Sequence, residues 1–363
     1  MGRPKSVYRG KRKYRWIITL TAFVVIALVA AAVGVFTYMQ KYIVYDKDGL
    51  SLRLPLLQQQ ELSPLEDLAE EEAQLVFTPL ENVEIVVDEP DHSQLMLANT
   101  ELAALQGRYV AAESVSAESL NYYAYELGRS GQSAMVIQLK TADGYFSYKS
   151  QVPLADSYGV NGSADIRAAV LEMKAKDIYL VAEISCLLDD AMAQRNVPLA
   201  LKNSAGGVLT DGSGSWLDPR NRGVRDYLTA LLEEVAAMGF DEVLLSGVAH
   251  PKAAQIHYSQ VMTAAPSLGG SVATFAVFMS ETARELGLNC SVLCDASHVR
   301  LGTGGDVGQD YELFGRIFDR LYLKTSRDFA ASDISALACA AESRRVVPIV
   351  MGTAPETESF ALQ

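Results

Sequence analysis

The chain has 363 residues, 49% hydrophobic and 21% charged, too apolar for a disordered protein and long enough for one large domain or two smaller ones. Its net charge of -13 hides an asymmetry: residues 1–15 hold seven basic side chains and no acidic one, and removing their +7 leaves -20 for the remainder. A body that acidic excludes nucleic-acid binding, which needs clustered Lys and Arg against phosphate.

Residues 16–39 (WIITLTAFVVIALVAAAVGVFTYM) contain no charged side chain in 24 positions. As a helix rising about 1.5 Å per residue they span ~36 Å, enough to cross a bilayer core. A cleavable signal peptide ending near Ala30, Ala31 and Ala32 competes with this reading, but its apolar region is usually only ~7 to 15 residues long. The basic residues 1–15 then form a cytoplasmic tail, with the body outside the cell membrane and Trp16 and Tyr38 at the interfaces. The expectation is a single-pass bacterial membrane protein.

Residues 40–82 form the membrane-proximal part. Residues 40–56 alternate apolar and polar around Asp48 and Gly49, which predicts a hairpin. Residues 57–82 carry Glu61, Glu66, Asp67, Glu70, Glu71 and Glu72 among Gln, Pro and Ala, the composition of a solvated spacer.

From residue 107 to the end, short β-branched or apolar runs alternate with segments of helical period. Strands are expected at 108–113, 134–140, 178–185, 242–248, 289–294, 319–324 and 346–351, and helices at 116–129, 164–176, 221–238, 271–286, 308–315 and 332–343. Ser116 is placed to cap one helix, and Gly239 and Gly287 to stop two others. Strands alternating with covering helices imply a parallel sheet buried on both faces, and seven in one run point to an α/β (β/α)8 TIM-type barrel. Its eighth strand is incomplete or falls at ESFALQ, residues 358–363; otherwise a partner completes the barrel.

Of Cys186, Cys290, Cys294 and Cys339, the middle two lie in one strand-like run, where four residues span ~13 Å and forbid a direct bridge. Buried free thiols are the simpler expectation. Cys290, Cys294 and His298 would line up as metal ligands only on a helix, and the local sequence looks like a strand ending in a loop. Nothing calls for a cofactor or a metal.

In a parallel barrel the chemistry sits at the C-terminal ends of the strands. Those positions offer Gln138, Lys140 and Asp143, then Glu183, then Ser246 and His250, then Asp295 and His298. Glu183 and Asp295 are the carboxylates of these runs, and two carboxylates facing one pocket are what glycoside hydrolysis requires. A buried Lys140–Glu183 ion pair is the structural alternative. The long loop 187–228 brings Trp216, either a flat face for a sugar ring or a plug over the mouth. Asp218 and Pro219 look like the start of the next helix, with Asp218 as its cap. The glycine-rich run 301–310 lacks the Gly-Lys-Ser/Thr ending of a phosphate loop, and Gln309 is placed to donate to a ligand hydroxyl.

Several segments together carry a family resemblance: MVIQLKTADGYFSYKSQVPLA, KDIYLVAEIS, SGSWLDPRNRGVRDYLTALLEEVAAMGFDEVLLSGVAHP and DVGQDYELFGRIFDRLYL. In order and spacing they resemble a glycosyl hydrolase domain family of membrane-attached or exported bacterial proteins, over roughly residues 107–350. The resemblance implies a TIM barrel related to polysaccharide hydrolases. Lys140, Asp143, Gly144, Trp216, Asp218, Pro219, Gly239, Phe240, Asp241, Glu242, Gly308 and Gln309 match its pattern. Gln138 and Thr141 stand where the family usually has Asp, Glu183 where it has Arg, and the segment from Ser246 to His250 replaces an Asp-Tyr-x-Arg-Phe run before Pro251.

This divergence favours a barrel that binds cell-wall polysaccharide, peptidoglycan included, or exopolysaccharide with weak or lost hydrolysis. Lys140, Asp143, Trp216, His250, His298 and Gln309 are the expected substrate contacts. The alternatives are an active glycosidase using Glu183 and Asp295 as its pair, or an envelope scaffold that holds a protein partner.

Overall fold

Apolar runs that end in glycine or at a capping side chain set the element boundaries, and most expected strands form within two residues of their predicted ends. The computed structural model describes residues 43–46, 49–52, 97–252, 256–258, 267–324 and 342–363. Two compact units divide the chain, Met1–Val86 and Val87–Gln363. In the first, β1 (Ile43–Asp46) pairs antiparallel with β2 (Gly49–Leu52), the expected hairpin. The predicted membrane helix 16–39, the acidic spacer 57–82 and most of the predicted helix 332–343 lie outside the described residues. Among the described residues no helix is long and apolar enough to cross a membrane.

The second unit is an eight-stranded parallel barrel. Its staves are β3 (Gln106–Val110), β4 (Ala134–Lys140) and β5 (Tyr179–Ser185), then, past the small hairpin β6 (Thr210–Asp211) and β7 (Gly214–Ser215), β8 (Glu242–Ser246), β9 (Asn289–Asp295), β10 (Leu321–Lys324), β11 (Val346–Val350) and β12 (Phe360–Leu362). Neighbours in the sheet follow chain order, and β12 closes on β3. Helices α1 (Ala117–Ser130), α2 (Pro153–Ser157), α3 (Arg167–Lys174), α4 (Asp190–Arg195), α5 (Arg222–Met238), α6 (Leu268–Glu285), α7 (Ala296–Leu301) and α8 (Tyr311–Ile317) fill the connections.

The eighth strand forms within ESFALQ, as one of the two expectations had it, and the alternative of an open or partner-completed barrel falls. Phe360, Ala361 and Leu362 pair in register with Gln106, Gly107 and Arg108, and Ala361 and Leu362 pair on the other side with Ile349 and Val350. No helix joins β11 to β12; the connection Met351–Ser359 runs through bends. Ser359 pins the closure, its hydroxyl donating to the Arg344 carbonyl at 2.6 Å and accepting from the Leu105 amide at 2.9 Å.

Strand alternation produces two cores. Tyr109, Val136, Val181, Leu244, Tyr322, Val347, Ile349 and Ala361 fill the barrel interior. Their outward neighbours, among them Met135, Leu139, Ile184, Val243 and Val292, pack under Leu127, Leu228, Leu232 and Phe275 of the helices. Each such side chain contributes ~1.5 to 3 kcal/mol by leaving water.

Local capping explains the helix ends. Ser116 caps α1 through a reciprocal bond with Ser119, and Gly239 ends α5 at φ 93°. The cap of α5 is Asn221 rather than the expected Asp218, which is buried in the preceding loop. The interior is closed at its N-terminal end by a polar knot: the Glu242 carboxylate pairs with Arg320 and accepts Tyr322 and Tyr179 hydroxyls, each at 2.9 Å.

Candidate functional site

Each strand hands its last inward residue to the C-terminal mouth. β5 carries Glu183 inward near that end, only 2% exposed. The Tyr109 hydroxyl donates to one carboxylate oxygen at 2.7 Å and the Gln138 amide to the other at 3.2 Å. Burial pushes the Glu183 carboxyl above its ordinary range, against the opposing pull of Tyr109, Lys324, Gln138 and Ser246.

Lys140 does not meet Glu183. A register shift between Gln138 and Lys140 breaks the alternation of β4. The ammonium lies 2.8 Å from Asp189 with both side chains fully buried, and donates to the Ser185 carbonyl at 2.7 Å. Asp189 in turn caps α4 by accepting from the Met192 amide at 3.0 Å. Gly144, at φ 88°, lets this carboxylate approach: a Cβ there would stand 2.1 Å from its Oδ1. Asp143 beside it is exposed, its carbonyl accepting the Ala191 amide at 3.0 Å. The Lys140–Gly144 segment is thus a clamp on the long loop after β5, and Lys140 and Asp143 lie outside the cleft described next.

A cleft of about 600 Å³ opens at the mouth over β8, β9 and β10, and it brings together Trp216, His250, Asp295, His298 and Gln309 of the expected residues. Trp216 arrives by bridging to Leu188; it is 6% exposed, and its indole N–H finds no partner among the described residues. The His250 ring is fully buried, edge-on to Tyr258, with neither nitrogen hydrogen-bonded among the described residues. Desolvation, partly offset by Asp218, brings its pKa down to about 4. Gln309 does not open a helix; its amide donates to the Val248 carbonyl at 3.0 Å and accepts the Tyr311 hydroxyl at 3.1 Å, tying together the loops after β8 and β9.

Asp295 caps α7, accepting the Ser297 amide at 2.7 Å and the His298 amide at 3.3 Å. Burial pushes its pKa up, but these bonds and the Ser297 hydroxyl outweigh it and hold the carboxylate below its usual range. Glu183 does not line the cleft.

Lys324 is the lining residue the sequence reading passed over. It ends β10 level with Asp295, points to the same side as the interior Tyr322, and sits over the Tyr109 ring at 5.4 Å. The available signal was the period of two, counted on from Tyr322. A separate groove of about 520 Å³ lies on the helical flank by α3 and α5. Its Glu234 is engaged by Tyr148, Ser150, Gln151 and Arg167. Cys186, Cys290 and Cys294 are buried free thiols, and Cys339 lies outside the described residues.

Residues 107–322 match the protein family described as "Putative glycosyl hydrolase domain". The chain belongs to this family. Many of the family's matching positions here are architectural: Lys140 and Gly144 clamp a loop, Gly239 ends α5, the Asp241 carboxylate accepts Lys174 and the Leu180 amide, and Glu242 closes the barrel floor.

Among solved structures, the PgaB (BpsB) glycoside hydrolase domain from Bordetella bronchiseptica is similar at 12% identity and a TM-score of 0.53, covering 71% of this chain and 93% of that one. A hypothetical protein from Ruminiclostridium thermocellum is similar at 24% identity over 51% of this chain and 96% of its own, with a TM-score of 0.45. At these identities the first likeness establishes the TIM-like barrel fold alone. A search of curated proteins finds no match.

Proposed function

We propose that the protein is a membrane-anchored, extracytoplasmic barrel that binds cell-wall polysaccharide or exopolysaccharide at its C-terminal mouth, with weak or lost hydrolysis. Residues 16–39 are the anchor in this reading, and the acidic spacer holds the barrel off the membrane. The supporting observation is the division of the two candidate carboxylates: Asp295 lines the cleft, while Glu183 is buried, held by the Tyr109 hydroxyl and the Gln138 amide, and does not. Glycoside hydrolysis by a carboxylate pair needs both groups at one scissile bond, ~5 to 10 Å apart. What the cleft does offer is a tryptophan face beside a neutral, buried histidine and a strand-end carboxylate, a combination suited to a sugar ring and its hydroxyls.

The test is reducing-end release and polymer pull-down from the same tubes, using the full chain in detergent with peptidoglycan and bacterial exopolysaccharides. Retention without release supports the proposal. Release that disappears in both Glu183→Gln and Asp295→Asn overturns it in favour of an active glycosidase. Neither release nor retention turns the search toward a protein partner held by the scaffold.

A further inference from the structure

We infer that the ligand of the cleft carries anionic groups, carboxylate or phosphate, received by Lys324; this rests on the glycan-binding reading above. Lys324 is exposed and, among the described residues, forms no hydrogen bond or ion pair. Among the described residues neither neighbouring carboxylate forms an ion pair with it, although Glu183 feels its charge. Asp295, level with it on the adjacent strand, has one carboxylate oxygen turned to the amides of Ser297 and His298 at the start of α7. Glu183 has both oxygens engaged, by Tyr109 and by Gln138.

The other lining groups repeat the pattern. Lys252 on the rim is exposed, while Asp211 has an oxygen taken by the Ser213 amide of its own hairpin turn. The Trp216 indole N–H and the nitrogens of the neutral His250 ring are buried and add no charge. Two ammonium groups therefore line the cleft with no hydrogen bond or ion pair among the described residues, and the carboxylates beside them are already partly satisfied by amides. A neutral polyol also brings acceptors, but no charge to answer an ammonium. A uronic acid or a phosphodiester brings surplus acceptors and a charge, which a cation in a partly dry cleft binds more strongly than neutral oxygen. The net negative charge of the body opposes non-specific binding of polyanions, so a preference for them would need a local cationic site such as this one.

The experiment measures affinity of the full chain in detergent micelles, at low salt, for polygalacturonate, a poly(glycerol phosphate) and dextran. Variants are Lys324→Met, Lys324→Arg and, as a control, Lys176→Met. Lys176 is exposed in the turn before β5, at the opposite end of the barrel, and its loss removes the same charge. The expected result is preference for a charged polymer over dextran, lowered roughly tenfold or more by Lys324→Met. Lys324→Arg retains the preference, Lys176→Met leaves it within about twofold, and dextran binding stays unchanged in all three. The stronger charged polymer tells carboxylate from phosphate. Dextran bound as tightly as both polyanions, or equal losses in Lys176→Met and Lys324→Met, overturns the inference and leaves glycan binding standing. Absence of binding to all three polymers overturns both.

Discussion

Lys140 and Asp189 form an ion pair of 2.8 Å with no solvent access to either side chain, and the strand that supplies the lysine is kinked to make it. Breaking one half leaves a buried charge without its partner. Lys140→Met is expected to destabilise the barrel by about 3 to 5 kcal/mol, with the double variant Lys140→Met/Asp189→Leu recovering part of that loss. Urea unfolding of the four members of the cycle measures it. Gly144→Ala should act on the same clamp by forcing a methyl group against Asp189 at a left-handed backbone position, at a cost of at least ~1 to 3 kcal/mol.

His250 makes stability depend on pH. Its pKa falls from an ordinary 6.5 to about 4 on folding, so between these values the unfolded chain binds more protons than the folded one. Stability is therefore expected to fall as pH drops from 6.5 toward 4, by up to about 3 kcal/mol from this group, and to level off below. Unfolding free energies of wild type and His250→Gln across this range should differ in slope, the variant being flatter.

Glu183 gives the opposite sign. Its carboxyl holds a proton to higher pH in the folded state, so its contribution to stability is complete below the unfolded value and is lost as pH rises through the raised one. Glu183→Gln keeps the shape and removes the ionisation. The variant is expected to be at least as stable as wild type at neutral pH, with the difference vanishing in acid; a marked loss at neutral pH would show that the Tyr109 and Gln138 bonds require a carboxylate.

Deleting residues 358–363 tests the closing strand. It removes the Phe360 amide bond to the Leu105 carbonyl at 2.7 Å, the Ser359 pin and the buried Phe360 and Ala361, and it exposes the edges of β3 and β11. The truncated chain is expected to unfold at far lower urea and to self-associate. Light scattering and urea titration follow both; an unchanged midpoint would mean the last strand is dispensable.

Most of the barrel was legible because parallel strands buried on both faces are nearly continuous apolar runs, as in AMVIQLK and IYLVAEIS, and the glycines and serines between them mark where helices start and stop. The closing strand was the hardest to see, since three residues at a chain end carry almost no pattern. Ser116 was recognisable as a cap because its partner is three residues away, whereas Asp218 and Asn221 compete within one turn and the surrounding packing chose Asn221.

The site divides along the same line. Composition and position at or after a strand end were enough to bring Trp216, His250, Asp295, His298 and Gln309 to one end of the barrel, because in a parallel barrel the strand ends and the loops that follow them gather there. Which of those side chains stay open to a ligand was decided by distant partners. Tyr109 holds Glu183 from 74 positions away, Asp189 draws Lys140 out of the mouth, and Asp295 turns to the amides of its own helix, leaving Lys324 over an aromatic ring with no ion pair among the described residues. Local pattern places a residue on a face or an end, but its protonation, pairing and exposure depend on groups that only the closed barrel brings within a few ångströms.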